Sequence, residues 1–115
     1  MTENIRIISV VGRFLEHSRI YIFGEGRQAK YYISSADWMT RNTLRRVEVA
    51  CPILADDAKS RLEGIFNVIW QDNVQARVQQ KNGEYIRRYP GEQTPVSCQN
   101  WLYDEAYRLS GKNKA

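Results

Sequence analysis

A chain of 115 residues and 13.5 kDa is long enough for one compact domain that buries roughly two thirds of its unfolded surface, and leaves no room for a second. Hydrophobic residues at 43% and charged residues at 26% give a globular balance that excludes a disordered tail or a collagen-like repeat, and no apolar run approaches the ~18 residues of a membrane span. The 17 Lys and Arg against 13 Asp and Glu leave a formal charge of +4, which favours anionic partners without naming one.

Residues 4–16 carry Ile5, Ile7, Ile8, Val10, Val11, Phe14 and Leu15. Their spacing mixes a 3.6 period with a nearly continuous run, so a helix with a wide buried face competes with a buried strand. The length favours the helix, although Gly12 weakens it by roughly 1 kcal/mol relative to alanine. Next come RIYIF at 19–23 and KYYI at 30–33, rich in β-branched and aromatic residues, with a turn supplied by Gly24 to Gly26. They predict a hairpin. The lone G-x-G at 24–26 precedes no helix, so it is no nucleotide-binding fingerprint.

Residues 46–53 alternate strictly, with Val47, Val49, Cys51 and Ile53 on one face and Arg46, Glu48, Ala50 and Pro52 on the other. That is a strand, its apolar face turned to a helical layer. Asp56 or Asp57 then caps a helix whose stripe is Ala58, Leu62, Ile65, Phe66, Ile69 and Trp70. A second hairpin is predicted from 74–80 and 84–88 around Asn82-Gly83, a pair that suits a type I′ turn, and Pro90-Gly91 ends it. Thr94-Pro95 opens a last helix with the stripe Cys98, Trp101, Leu102, Ala106 and Leu109, after which residues 111–115 should fray. The predicted class is α/β, a mixed β-sheet flanked by helices. One domain over 1–110 and a short tail are expected.

Cys51 and Cys98 are too few for a disulfide scaffold and, with one histidine, do not approach a four-ligand zinc site. Both are expected to be buried small hydrophobes. Residues 1–20 lack a basic region followed by an unbroken apolar stretch and a cleavage site, so the expectation is a cytoplasmic chain.

Two polar stretches could carry chemistry. The only histidine, His17, sits in FLEHSR, where an extended backbone would place His17 and Arg19 on one face. An imidazole beside a guanidinium suits phosphoryl chemistry, since one exchanges a proton near neutral pH and the other neutralises phosphate oxygens. A histidine that merely ends a helix is the plain alternative. The second stretch is Ser34-Ser35-Ala36-Asp37-Trp38-Met39-Thr40-Arg41-Asn42, an anion-holding loop in which Asp37 could orient an imidazole or a guanidinium. Here too a simple turn cap at Ser35 or Asp37 would account for the residues. Arg19, Arg27, Arg41, Arg45 and Arg46 surround these stretches, and arginine is the residue suited to bidentate phosphate contacts.

ENIRIIS, RFLEHSR, YYISSADWMTRN and RRVEV, in this order and spacing, resemble the last part of bacterial polyphosphate kinases of the first family, from Glu3 to about Arg77 and more loosely to Leu109. The resemblance implies the second of two C-terminal domains that are each similar to a phospholipase D half. It also implies an enzyme that reversibly transfers the γ-phosphoryl group of ATP to inorganic polyphosphate. The H-x-K and G-S-x-N pattern of phospholipase D lies over His17-x-Arg19 and Ser34-Ser35-x-Asp37, with Arg19 for lysine, Gly24 where an aspartate would stand and Asp37 for asparagine. Those departures argue against phosphodiester hydrolysis.

By the same resemblance His17 is the catalytic histidine of this half, facing the transferred phosphoryl group, while the histidine that becomes phosphorylated belongs to the preceding domain. Arg46 corresponds to an arginine of the phosphate tunnel, with Arg19 and Arg41 as further phosphate or ATP contacts. Ser34, Ser35, Asp37 and Asn42 are supporting residues. Mg-ATP is the implied cofactor of the full-length enzyme, with no metal site in this segment. The implied partners are polyphosphate, ATP or ADP and the kinase's remaining domains, in a homo-oligomer, peripheral to the inner membrane face at most. Alone, the chain should bind polyphosphate without turnover. The rival classes are a stand-alone module that binds polyphosphate or, less favoured, nucleic acid, and a phosphodiesterase completed by pairing two chains.

Overall fold

The computed structural model of the chain describes residues 4–15, 17–35 and 49–111. Among these residues eight elements run in the order β1 (Ile8–Val10), β2 (Ile20–Phe23), β3 (Lys30–Ser34), β4 (Ala50–Ile53), α1 (Asp56–Trp70), β5 (Ala76–Gln79), β6 (Tyr85–Arg87) and α2 (Cys98–Ser110), with a 3-10 turn at Gly26–Gln28. The α/β class holds. The described strands form two antiparallel three-stranded sheets, β1-β5-β6 and β2-β3-β4, where the sequence suggested one mixed sheet. The chain divides into two compact units, Met1–Leu15 with Asn67–Ala115, and Glu16–Phe66.

In the first unit the expected N-terminal helix is a strand. Ile8, Ser9 and Val10 pair with Val78, Arg77 and Ala76, and the ladder continues through Gln79 N–H to the Ile7 carbonyl and Val11 N–H to the Gln75 carbonyl. β-Branched residues and Gly12 are poor helix material, and a partner strand far away in sequence decides between the two periodicities. The second hairpin forms as expected, with Arg77, Val78 and Gln79 opposite Arg87, Ile86 and Tyr85. Its turn is not type I′: no described residue other than glycine has positive φ, so Asn82 does not adopt the conformation that turn demands. Gly83 alone is left-handed at φ 89°, its N–H closing on the Gln80 carbonyl at 2.9 Å.

Asp72 organises this unit. It is fully buried, and its Oδ1 accepts the backbone N–H groups of Val74, Gln75 and Ala76 at 3.0, 2.7 and 3.0 Å. Its Oδ2 accepts the N–H of Cys98 at 2.8 Å, serving the first turn of α2 from 26 residues away. Burial alone would raise this carboxyl, but the donors from Cys98, Gln75 and Val74 outweigh it and hold it below the usual range. Next to it the Asn73 side chain accepts the Val96 N–H at 2.7 Å and donates to the Thr94 carbonyl at 3.2 Å. The helix therefore starts at Cys98 with Ser97 as its cap, not at Thr94-Pro95, because Asn73 holds 94–96 away from helical bonding. Arg88 closes the C-terminal end of α1, its Nη1 donating to the carbonyls of Trp70 at 2.7 Å and Asp72 at 3.2 Å.

The face of α2 is rotated from the expected stripe. Cys98 and Gln99 are buried and Leu102, Tyr103 and Tyr107 half-buried, whereas Trp101, Ala106 and Leu109 are exposed. In α1, Val68 is buried and Ala58, Leu62, Ile65, Ile69 and Trp70 half-buried, while Phe66 is exposed. The α2 helix ends at Gly111 in the left-handed region, φ 68°.

In the second unit β2 pairs with β3 from Ile20 opposite Ile33 to Phe23 opposite Lys30, and β3 with β4 from Tyr31 opposite Ile53 to Ser34 opposite Ala50. Tyr31, buried at the centre, donates through its hydroxyl to Glu63 of α1 at 3.3 Å, so the helix covers the face that carries Tyr31. Burial and the facing carboxylate push the Tyr31 phenol up. The expected cover fails further along that face: Ile33 is 40% and Val49 64% exposed, and Cys51, expected to be buried, is exposed on edge strand β4. Of the strand predicted over 46–53, residues 46–48 lie outside the described set.

Candidate active site

The candidate residues fall at one end of the β2-β3-β4 sheet. The Ser34 N–H donates to the Arg19 carbonyl at 3.1 Å, which carries the β2-β3 pairing to the residue before β2 begins. His17 is two residues earlier and exposed. The Arg19 guanidinium turns back and donates from Nη1 to the His17 carbonyl at 2.9 Å, fixing the backbone beside the imidazole.

Ser35 continues the same end. Its N–H donates to the Val49 carbonyl at 3.0 Å, and its Oγ accepts the Val49 N–H at 3.0 Å. Ser35 and Val49 are thus joined by a two-way hydrogen-bonded neck. Asp37, Arg41, Asn42 and Arg46, with Arg45, belong to the stretch between and lie outside the described residues. His17, Arg19, Ser34 and Ser35 are brought together. Val49 is a participant that alternation marked only as a strand residue. A polar stretch flanked by two strands is the sequence signal that could have pointed to a paired neck.

Arg27 separates from this group. It lies in the connection between β2 and β3, at the opposite end of the hairpin, beside an open groove of about 560 Å³ lined also by Tyr31, Asp56, Lys59, Ser60 and Glu63. Two cations and two carboxylates there leave no net charge to draw a polyanion. Arg87 and Arg88 are also spoken for, donating to the carbonyls of Val74 and of Trp70 and Asp72. Of the five arginines grouped in the sequence, Arg27 thus lies at the other end of the hairpin from Arg19, and Arg41, Arg45 and Arg46 lie outside the described residues.

Among the described residues no group of three or more His, Cys, Asp or Glu side chains could hold a metal ion, and no helix is long and apolar enough to cross a membrane. An exposed imidazole, a guanidinium tied to the adjacent backbone and two hydroxyls are suited to holding an anion and exchanging a proton with it.

The family described as "Polyphosphate kinase C-terminal domain 2" matches residues 1–99. The polyphosphate kinase of Bacillus cereus is 46% identical over 108 residues, covering 94% of this chain and 15% of its own length. That of Escherichia coli K12 is 44% identical over 106 residues, covering 90% of this chain and 15% of its own length. The crystal structure of polyphosphate kinase from Porphyromonas gingivalis superposes with a TM-score of 0.84 at 34% identity, over 93% of this chain and 16% of that one. The chain belongs to the polyphosphate kinase family, within its second C-terminal domain. It spans about 15% of the length of the curated relatives it matches.

Proposed function

We propose that this chain, over residues 1–110, is the second C-terminal domain of a polyphosphate kinase that reversibly transfers the γ-phosphoryl group of ATP to inorganic polyphosphate, with 111–115 a tail. The observation that supports it is the shared end of the second sheet, where His17 and Arg19 meet Ser34 and the Ser35–Val49 neck. In this reading the nucleophilic histidine comes from the preceding domain and splits the transfer into two steps. Its nitrogen forms a bond to the γ-phosphorus as ADP leaves. In the second step a terminal oxygen of polyphosphate takes the phosphoryl group and frees the histidine.

His17 then holds or protonates a phosphate oxygen on the ADP or incoming side, and Arg19, Arg41 and Arg46 offset the charge that several phosphates bring together. Ser34, Ser35, Asp37 and Asn42 support them. ATP arrives with magnesium, whose ligands lie outside these residues. The phospholipase D-like character, the cytoplasmic setting and a homo-oligomeric full-length enzyme belong to the same proposal.

Alone, the chain should bind polyphosphate without making ATP from ADP. The test is a luminescence assay of ATP formation from ADP and polyphosphate, run on the 115-residue chain and on the longer polypeptide that carries it. Turnover is expected only in the longer polypeptide. Turnover by the pure, monomeric short chain would overturn the proposal.

A further inference from the structure

The register of the β1-β5-β6 sheet sets Ser9, Arg77 and Arg87 directly opposite one another in a row across its three strands. Residues directly opposite in antiparallel strands share a face, so the row lies on one face with Tyr85, and buried Ala76 and half-buried Val78 on the other. All of these residues belong to the first compact unit. Two guanidinium groups in register on adjacent strands repel, and such a pair costs stability unless an opposite charge answers it. Among the described residues no carboxylate forms an ion pair with Arg77 or Arg87. Arg87 is exposed and held in place, donating from Nε and Nη2 to the Val74 carbonyl at 3.3 and 3.0 Å, with its guanidinium 5.3 Å from the Tyr89 ring centroid. A carbonyl and a ring orient that group without neutralising it, and those bonds leave its Nη1 unused.

We propose that this row is a polyanion-holding surface whose occupant is inorganic polyphosphate: the Arg77 and Arg87 guanidinium groups bind adjacent phosphate groups, with the Ser9 hydroxyl beside them. The occupant is the substrate named under the proposed function, on which this inference rests. Neighbouring strands stand about 4.8 Å apart, so the two cations rise from points that close together. Consecutive phosphates of polyphosphate share a bridging oxygen and bring their charges comparably near, whereas those of a nucleic acid are separated by a sugar. Single-stranded nucleic acid also wants open aromatic faces for its bases, and here the Tyr89 ring carries the Arg87 guanidinium.

The test is calorimetric titration of the 115-residue chain with long-chain inorganic polyphosphate at low salt, for the parent, Arg77→Gln, Arg77→Glu and Arg27→Glu, with the thermal unfolding midpoint of each measured in parallel. Arg77→Gln removes a charge but no described hydrogen bond, and should weaken binding about fivefold. Arg77→Glu sets a carboxylate opposite Arg87 and should weaken binding about twentyfold, since both cations are lost to the ligand. Its unfolding midpoint should stay at or above the parent's, because opposite charges across two strands attract. Arg27→Glu makes the same change in net charge outside this unit and should weaken binding less than about threefold. Single-stranded RNA of matched charge should bind the parent more weakly than polyphosphate does.

The row is overturned if the parent does not bind polyphosphate, if Arg77→Glu binds as Arg27→Glu does, or if its weaker binding only follows a lowered unfolding midpoint. RNA that binds the parent more tightly than polyphosphate and is lost in Arg77→Glu overturns the choice of occupant. The assay of ATP formation by the longer polypeptide reads the proposed function separately. Turnover there with unchanged binding in Arg77→Glu overturns the row alone, and no turnover there with binding lost in Arg77→Glu overturns the proposed function alone.

Discussion

The two compact units solve the same problem, a three-stranded antiparallel sheet with a helix, by different means. In the first, polar side chains do the joining: Asp72 binds four backbone N–H groups across 26 residues, Asn73 holds 94–96, Arg88 caps α1 and Gln99 grips Phe14. In the second, neighbouring strands pair locally, Tyr31 meets Glu63, and Ile33, Cys51 and Val49 stay exposed near the end where the candidate chemistry lies. The buried polar bonding and the proposed chemistry are thus housed in different units. Buried polar groups with every bond satisfied specify a structure strongly, whereas a site needs side chains left open to substrate.

The sharpest way to break that contrast is Asp72→Ala. It strips acceptors from four backbone donors, two of them on buried residues, and should cost about 3 kcal/mol or more in urea unfolding. A loss under about 1 kcal/mol would show that the polar network is not what holds the first unit. Next in size, and confined to the second unit, His17→Ala in the full-length kinase should lower turnover on the order of 10² or more with a smaller change in KM. Arg46→Ala should weaken binding as well, and Arg46→Lys should restore only part, because the ammonium keeps the charge and loses the fork. Turnover and KM measured for the three variants separate the roles.

A pH series sharpens the comparison further. The Asp72 carboxyl titrates lower in the folded chain than in the unfolded one, so its contribution is fully present above the unfolded value near 4 and is lost as pH falls through the folded value. Unfolding midpoints between pH 2 and 6 should therefore drop for the parent and stay flatter for Asp72→Asn. Polyphosphate binding by the short chain should weaken from about 50 to 300 mM salt as the arginines are screened. Binding indifferent to salt would remove the basic-site argument. The smallest effect belongs to Tyr31→Phe, which loses one 3.3 Å hydrogen bond and should cost no more than about 1 kcal/mol by the same unfolding measurement.

Much of the architecture was legible where the pattern is local. The α1 helix, the β2-β3 hairpin, the β5-β6 hairpin and the strand ending at Ile53 follow from periodicity and turn residues within a short window. His17, Arg19 and the serines were legible as a constellation because residue type and spacing carried a family resemblance. The structure brings these four to one end of a sheet. Asp72 and Gln99 were not legible, since an aspartate after a helix reads as a turn and a glutamine in a helix reads as surface.

Most of the elements and the family follow from the amino-acid order alone, because hydrophobic period, turn chemistry and motif spacing are properties of neighbouring residues. Long-range packing was needed to make residues 8–10 a strand, since Ile8 acquires that state by pairing with Val78. Packing also sets where α2 begins, which depends on Asn73 holding 94–96 and on Asp72 accepting the Cys98 N–H. The exposed flank of the second sheet has the same origin, because a side chain's burial depends on what packs over it and not on its own place in an alternating run.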